Sequence, residues 1–547
     1  MSDKTKRGFK LKDCIDSDKF GYAPIYEGSG EEEISYCFEP YCSYYVTEHG
    51  ASKEDFYAYC QKLESEGFEK FNEITAGGNL FASYTDNESA VYVSHISYDD
   101  VDKYVRRSVS YLLISVDSIK NSALPCKLEK YEKITKASFS LVNMLTFVIR
   151  LEDGRFIVID GSVYGNTEGV LEALCQQNML EGKPVVAAWL FSHAHGDHVG
   201  GFIGILDKYA DKVIIQRVIH NFPGEDLYMP NKNYMEGIPN REGEFMSRRS
   251  RQIFELMRDK SPEGVFTIAH SGQTFEYPGV RIDVMMTSEN LYRKQMFDTN
   301  MSSVVYMLTM EGGKILVTGD AVDAASKILR KIYQNDLACD AVVLAHHAYN
   351  GGDEEMYFRT GATAAIWPNY YEDLCERGLL GNYTNHFDFN GVKYNLIMSR
   401  KDKWMTLYPD MTLDDASAFI RRDEVKKQPV VDYDARRSPK NYLGVEDLEK
   451  GYGDAPRYYG LGEESERLIM DEKGLTYTVL ISGATQYSFE YYCNSLKRDG
   501  YVRMEIDRGE EHSFAVYADP TNEVKVVYDK GELSVLVGKA GVTSLKY

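Results

Sequence analysis

The sequence predicts an α/β protein with a central α/β domain and two flanking small α+β repeat modules. Three observations predict it. The chain has 547 residues, room for about three or four domains at roughly 150 residues each. Its two ends resemble each other. Its middle carries a series of apolar, strand-like runs that end in histidine or aspartate.

The terminal resemblance is residue by residue. Ala23-Pro24, Tyr26, Gly28 and Gly30-Glu31-Glu32 answer to Ala455-Pro456, Tyr458, Gly460 and Gly462-Glu463-Glu464. Gly50-Ala51, Phe56, Tyr59-Cys60, Leu63 and Gly67 then answer to Gly483-Ala484, Phe489, Tyr492-Cys493, Leu496 and Gly500. In the ungapped part about 13 of 44 aligned positions are identical, which reads as an internal repeat. Phe56, Tyr59, Cys60 and Leu63 have helical spacing, and Gly67 is placed to end that helix. The runs Leu80–Tyr84 and Ala90–Val93 read as strands. The predicted organisation is a first module over 1–120, a central domain over 125–405, a charged connector over 406–450 containing Pro409, Pro429 and Pro439, and a second module over 451–547. Neither module holds a His/Asp/Glu cluster, so the modules are expected to serve packing or interaction, including a homo-oligomer surface.

Composition sets the function classes. With 43% hydrophobic and 27% charged residues, the chain has an ordinary globular balance. No run approaches the roughly 18 to 20 apolar residues of a membrane span, and the first residues carry no apolar core of a secretory signal, so a soluble cytoplasmic protein is expected. Acidic residues outnumber basic ones 84 to 62, for a net charge of −22, which disfavours broad nucleic-acid binding. A small local basic patch could still handle one phosphate, so phosphoester chemistry is not excluded. Nine scattered cysteines with no CxxC pair read as reduced thiols.

The chemistry is concentrated at one place. The apolar run Val185–Phe191 leads into Ser192-His193-Ala194-His195-Gly196-Asp197-His198-Val199-Gly200-Gly201. Imidazole and carboxylate are ligands for zinc-like ions, and a strand followed by a sharp turn aims such side chains at two ions. The two glycines are read as a close backbone turn ahead of a helix. Further strand-like runs end in Asp160, in Asp320 and in the pair His346-His347. His220 and His270 are the remaining central candidates, each on or just beyond a strand-like run. A helix is expected over 324–333. Arg293, Lys294, Tyr349, Trp367 and His386 are candidates to line a pocket.

His193-x-His195-x-Asp197-His198 resembles the signature of the metallo-β-lactamase-fold hydrolases. The hairpin-like pair ending in Asp160-Gly161, the run Gly313–Asp320 and the run Ala341–His347 follow that family's order. The resemblance covers about residues 125–405. It implies an αββα sandwich with the metals at one edge of two facing sheets. It implies two divalent ions, zinc first and manganese or iron as alternatives. His193, His195 and His270 (favoured over His220) would bind one ion. Asp197, His198 and His346 (preferred to His347) would bind the other, with Asp320 bridging. Asp160 would orient ligands. Asp197, Asp320 and His347 would serve catalysis. Asn300–Val305, Thr318-Gly319-Asp320 and the histidine pair also resemble the branch holding the hydrolase domains of DNA-uptake competence proteins and the phosphocholine esterases. In that branch glycine usually follows the histidine pair, whereas here Ala348 does. The implied activity is binuclear metal-dependent hydrolysis of a phosphodiester or related ester, with a small-molecule or phosphoester substrate. The competing readings are a metal-dependent oxidoreductase on the same fold and a non-catalytic metal-binding scaffold whose repeats mediate interaction. The oxidoreductases usually carry glutamate where His195 stands.

Overall fold

A computed structural model describes residues 22–26, 31–36, 44–223, 241–376, 394–408, 419–421, 455 and 463–539, with short gaps inside those ranges. His386, Arg293, Lys294 and most of the predicted connector lie outside the described residues. The chain forms two compact units, one of residues 1–98, 108–379 and 391–425, the other of 99–107, 380–390 and 426–547.

The first unit begins with β1 (Glu31–Tyr36), β2 (Tyr44–His49), α1 (Lys53–Ser65), β3 (Glu69–Ala76), β4 (Asn79–Thr85), β5 (Ser89–Asp102) and β6 (Val105–Ser118). The strands make one sheet in the order β1-β2-β6-β5-β4-β3. Helix α1 starts at a capping box, in which Ser52 accepts from the Asp55 N–H and the Asp55 carboxylate accepts from the Ser52 N–H. Its buried face is Phe56, Tyr59, Cys60 and Leu63, packed into the sheet's apolar side with Leu80, Tyr84, Val91 and Leu112. The helix ends where predicted, with Gly67 at φ +94° just beyond it.

The central strands form two eight-stranded sheets. The first contains β7 (Ser138–Val142), β8 (Thr146–Arg150), β9 (Phe156–Ile159), β10 (Val185–Leu190), β11 (Ile214–Ile215), β12 (Arg217–His220), β13 (Val265–Ile268) and, later in the chain, β21 (Trp404–Leu407). The second contains β14 (Thr274–Tyr277), β15 (Val280–Met286), β16 (Val305–Met310), β17 (Gly313–Val317), β18 (Ala341–Val343), β19 (Ala364–Tyr370), β20 (Tyr394–Met398) and β22 (Phe419–Arg421). The orders are β13-β12-β10-β9-β8-β7-β21, with β11 also on β10, and β14-β15-β16-β17-β18-β19-β20-β22. Alternate residues of each sheet share one core: Ile157 and Ile159, Ala188 and Leu190 from the first, Ile282 and Val284, Tyr306 and Leu308, Ile315 and Val317 from the second. A period of two on both partners is what two sheets packed face to face require. Helices α2 (Thr167–Gln177), α3 (Gly196–Tyr209), α4 (Arg241–Lys260) and α5 (Asp323–Tyr333) follow. On the outer side of β10, Trp189 meets Phe202 of α3 edge-on, with ring centroids 4.8 Å apart.

The glycine pair is used differently from the expectation. Gly200 and Gly201 lie inside α3, not before it. A Cβ on Gly201 would stand 1.8 Å from the Gly161 carbonyl oxygen, and one on Gly200 would stand 2.4 Å from the Tyr164 nitrogen. The glycines therefore let α3 lie directly on the loop that follows β9. That contact brings Asp160 to the start of α3.

The first module packs on the central domain within this unit. Phe81 stacks on Tyr333, with centroids 5.9 Å apart, and Asn79 donates to the Ile332 carbonyl at 2.7 Å. Tyr92 stacks on His270 at 4.2 Å.

The second unit holds β23 (Glu463–Asp471), β24 (Gly474–Ser482), β25 (Val502–Arg508), β26 (His512–Ala518), β27 (Asn522–Asp529) and β28 (Glu532–Lys539). Their order, β23-β24-β28-β27-β26-β25, matches the first module strand for strand. Phe489, Tyr492, Cys493 and Leu496 sit in its core as their counterparts do in α1. No helix among the described residues is long and apolar enough to cross a membrane.

Candidate metal centre

Four strand ends meet at one place. Parallel neighbours β9 and β10 deliver Asp160 and the His193–His198 turn, and parallel neighbours β17 and β18 deliver Asp320 and the histidine pair. The turn after β10 is fixed by Asp160, whose carboxylate accepts from the Ser192 N–H and from the Ser192 hydroxyl, both at 2.8 Å. Asp160 Oδ2 also lies 2.8 Å from His198 Nδ1. That bond fixes the ring so that Nε2 faces the site, the usual support for a metal-binding imidazole. Gly319 sits at φ +54°, where a Cβ would stand 2.6 Å from the Ser192 Cβ, so glycine lets the two turns close on each other.

Among the described residues two groups that could hold a metal ion result: His193, His195 and Asp320, and Asp197, His198 and His347. Asp320 Oδ2 is 3.7 Å from His193 Nε2, 3.2 Å from His198 Nε2 and 3.3 Å from His347 Nε2. Asp197 Oδ2 is 3.2 Å from His347 Nε2. Ligand atoms bound tetrahedrally at about 2.0–2.1 Å from one zinc ion stand roughly 3.3 Å from each other, so the donors fit a divalent ion. His198 Nε2 supports the fit, because it is buried and faces the Asp320 carboxylate.

Protonation fits as well. Burial, reinforced by the neighbouring His198, holds His193 well below the usual imidazole range, so it is a neutral donor. Burial works against the charge of Asp320, but His198 and His347 outweigh it and keep the carboxyl well below its usual range. Burial also lowers His347, yet Asp320 and Asp197 raise it to about 9. Those carboxylates attract a cation, and a metal ion takes the place of the proton.

The structure brings His347 to the second group, where His346 was preferred. The reason is backbone handedness. His346, His347 and Ala348 have φ of 52°, 55° and 61°, three consecutive left-handed residues. His346 leaves the strand first, but its Nε2 lies 3.4 Å from the Asn300 amide and it joins neither ligand group. The turn is braced by Tyr357, whose hydroxyl accepts from the Ala345 N–H at 2.9 Å. Gly351 is needed beside it, since a Cβ there would stand 2.6 Å from the His346 Cβ. A left-handed L-residue costs roughly 1–2 kcal/mol, and glycine adds about 0.4–1 kcal/mol of unfolded-state freedom. Ala348→Gly is therefore expected to stabilise the protein by about 0.5–1 kcal/mol. A urea midpoint equal to or below that of the natural protein would contradict a strained turn.

His270 is the second departure. It does not join the ligand groups. It is buried between two carboxylates, Nε2 2.9 Å from Asp117 of β6 and Nδ1 3.0 Å from Glu289. Burial opposes its charge, but the two carboxylates raise it to about 10, so it is an imidazolium clamp. His220 joins neither group. It ends β12 against Phe222, centroids 4.6 Å apart, and burial with the nearby His270 charge lowers it to about 3.

Three residues of the site were not singled out individually by the sequence. Ser192 ties the turn to Asp160. Ser303 Oγ accepts from the Asp320 N–H at 3.0 Å and lies 3.4 Å from His193 Nδ1. Asn300 faces His346. Ser303 and Asn300 belong to the short motif ahead of β16, but hydroxyl and amide side chains carry no spacing signal of their own. Tyr349 does lie at the site, with its ring 5.5 Å from that of His347.

Residues 143–284 match the sequence model of the metallo-β-lactamase superfamily. This part of the chain is a metallo-β-lactamase-superfamily domain. The match contains the His193–His198 turn, while Asp320 and His347 come from the second sheet beyond it. The matched domain thus carries residues from both sheets that could hold metal ions. No curated protein matches the chain. Among solved structures, a metallo-β-lactamase with a HARLDQ motif from Cronobacter sakazakii is similar at 15% identity, over 32% of this chain and 55% of that one, with a TM-score of 0.20. Zinc-bound PqqB from Methylobacterium extorquens is similar at 14%, over 43% and 61%, with a TM-score of 0.23. BJP-1, a subclass B3 metallo-β-lactamase of Bradyrhizobium japonicum, is similar at 12%, over 43% and 80%, with a TM-score of 0.22. The chain thus spans less than two thirds of the length of the first two.

Proposed function

We propose that this metallo-β-lactamase-fold enzyme is a binuclear metal-dependent hydrolase acting on a phosphodiester or related ester. One observation carries the reading: a single buried carboxylate, Asp320, stands within 3.2–3.7 Å of imidazole nitrogens from both ligand groups. His193 and His195 would hold one ion, Asp197, His198 and His347 the other, and Asp320 both. Zinc is the proposed metal, with manganese or iron as alternatives suited to the same nitrogen and oxygen donors.

When bound, such a pair of ions supplies Lewis acidity that makes water a competent nucleophile near neutral pH. The chain's own residues position and gate that chemistry. Asp160 and Ser303 hold the ligands in place, so little reorganisation accompanies reaction. Asp197, half-buried and ionised, is placed to accept a proton as bonds change. His346, outside the ligand groups and beside Asn300, is available to orient substrate.

Within the superfamily, we assign the chain to the branch with the competence-protein hydrolases and phosphocholine esterases, on the Asn300–Val305 and Thr318–Asp320 motifs and the histidine pair. We read the two modules as copies of one ancestral unit, supported by their shared strand order.

The test is element-resolved metal content of the purified full chain, followed by turnover of bis(p-nitrophenyl) phosphate. About two ions per chain and a turnover abolished by chelation and restored by metal are expected. A chain that holds no metal after reconstitution overturns the reading.

A further inference from the structure

We propose that Arg249 is the substrate-anion clamp of the metal centre, binding the phosphate oxygens that border the scissile ester bond. The proposal rests on the hydrolase reading and names a recognition residue that lies outside the metal ligands.

The placement carries it. Arg249 belongs to α4, in the long connection between β12 and β13, and α4 packs on α3. Its guanidinium lies against Gly196, the residue between His195 and Asp197. A Cβ on Gly196 would stand 2.5 Å from Arg249 Nη2, 2.7 Å from Cζ and 2.8 Å from Nη1. The glycine in the middle of the turn lets the guanidinium approach the backbone this closely. The missing side chain thus leaves a place for a cation beside the turn that carries His195 and Asp197.

Burial and charge agree. Arg249 is half-buried, and burial is the main influence lowering its proton affinity, with the Asp197 carboxylate working the other way. An arginine stays charged under such influences. The chain as a whole carries −22, a field that repels an anionic substrate. A fixed cation at the reaction site supplies the local attraction that the overall charge withholds. A guanidinium presents paired N–H donors that match two oxygens of one phosphate, a geometry that lysine cannot reproduce.

The test compares the natural chain with Arg249→Ala and Arg249→Lys, all reconstituted with zinc. Metal content is measured first. Calorimetric titration with inorganic phosphate then reads anion binding without any need for turnover. Phosphate is expected to bind about tenfold to a hundredfold more weakly in Arg249→Ala, with Arg249→Lys between. The preference for bis(p-nitrophenyl) phosphate over the neutral ester p-nitrophenyl acetate, as a ratio of kcat/KM, is expected to fall by the same factor through KM. Metal content is expected to stay at the natural level. Phosphate affinity within about threefold of the natural chain in both variants overturns the proposal. So does a loss of metal with unchanged phosphate affinity per loaded chain, which would make Arg249 a support for Asp197. If the natural chain binds metal and phosphate but hydrolyses neither ester, the hydrolase reading fails while the titration still decides Arg249.

Discussion

Asp320→Ala will lower bound metal from about two ions per chain to about one, and hydrolysis by about 10³-fold. The two groups depend on Asp320 unequally. Without it, the first group retains only His193 and His195, and two imidazoles rarely hold a divalent ion. The second group retains Asp197, His198 and His347, a complete three-residue set. Metal loss should therefore be selective for one ion. The size of the kinetic effect follows from what one ion contributes in a binuclear site. Metal stabilisation of developing charge is worth several kcal/mol, and each 1.36 kcal/mol is tenfold in rate. Elemental analysis with steady-state kinetics on bis(p-nitrophenyl) phosphate measures both. Two retained ions would remove Asp320 from its shared position. His195→Ala makes the companion test, since substantial activity in both variants would defeat the hydrolase reading.

What the sequence disclosed about this site follows the distance over which each feature is determined. The His193–His198 turn was legible because its four ligands fall within six residues behind one apolar strand. Asp160 and Asp320 were legible because each follows a short apolar run that reads as a buried strand, which local pattern reveals. The choice between His346 and His347 was not legible. It turns on the sign of φ at three successive residues, and neither histidine nor alanine signals a left-handed backbone as glycine would. Gly200 and Gly201 were noticed, but their role depends on the loop at Gly161–Tyr164, brought against α3 only by folding. His270 carried the right residue type just beyond a strand and in the right order. Its partner Asp117 lies 153 residues earlier in the chain. No spacing rule reaches that far, and nothing in the first module's pattern marked Asp117 as a partner for the centre.

His270 supplies the sharpest test of that distinction, because a clamp and a ligand respond oppositely to its loss. In His270→Gln the charge disappears and two buried carboxylates, Asp117 and Glu289, remain without their cation. Breaking a buried ion pair from one side costs about 3–5 kcal/mol. Chemical denaturation should show a loss of that order, with about two metal ions still bound to the folded fraction at low denaturant. Loss of one ion with little change in stability would restore His270 to the ligand set. Neutralising the partners as well, with Asp117→Asn and Glu289→Gln, should recover much of the stability, because the penalty lies in the uncompensated charges. The pH dependence has a definite sign. His270 rises from 6.5 to about 10 on folding, so the folded state binds the extra proton. Its stabilisation is complete below about pH 6.5, declines as pH rises from there, and is gone above about pH 10. Glu289 acts at the other end: burial raises it, but His270 and the Ser115 and Asn221 hydrogen bonds hold it below 4.5, so its contribution is lost on acidification. The natural chain should therefore lose stability between pH 7 and 10 more steeply than His270→Gln does. The first module supplies Asp117 and the ring of Tyr92 that covers His270, so the same clamp ties that module to the central domain. A module that unfolds or detaches should expose His270 and return it to an ordinary imidazole, which links the pH response of the whole unit to this one buried contact.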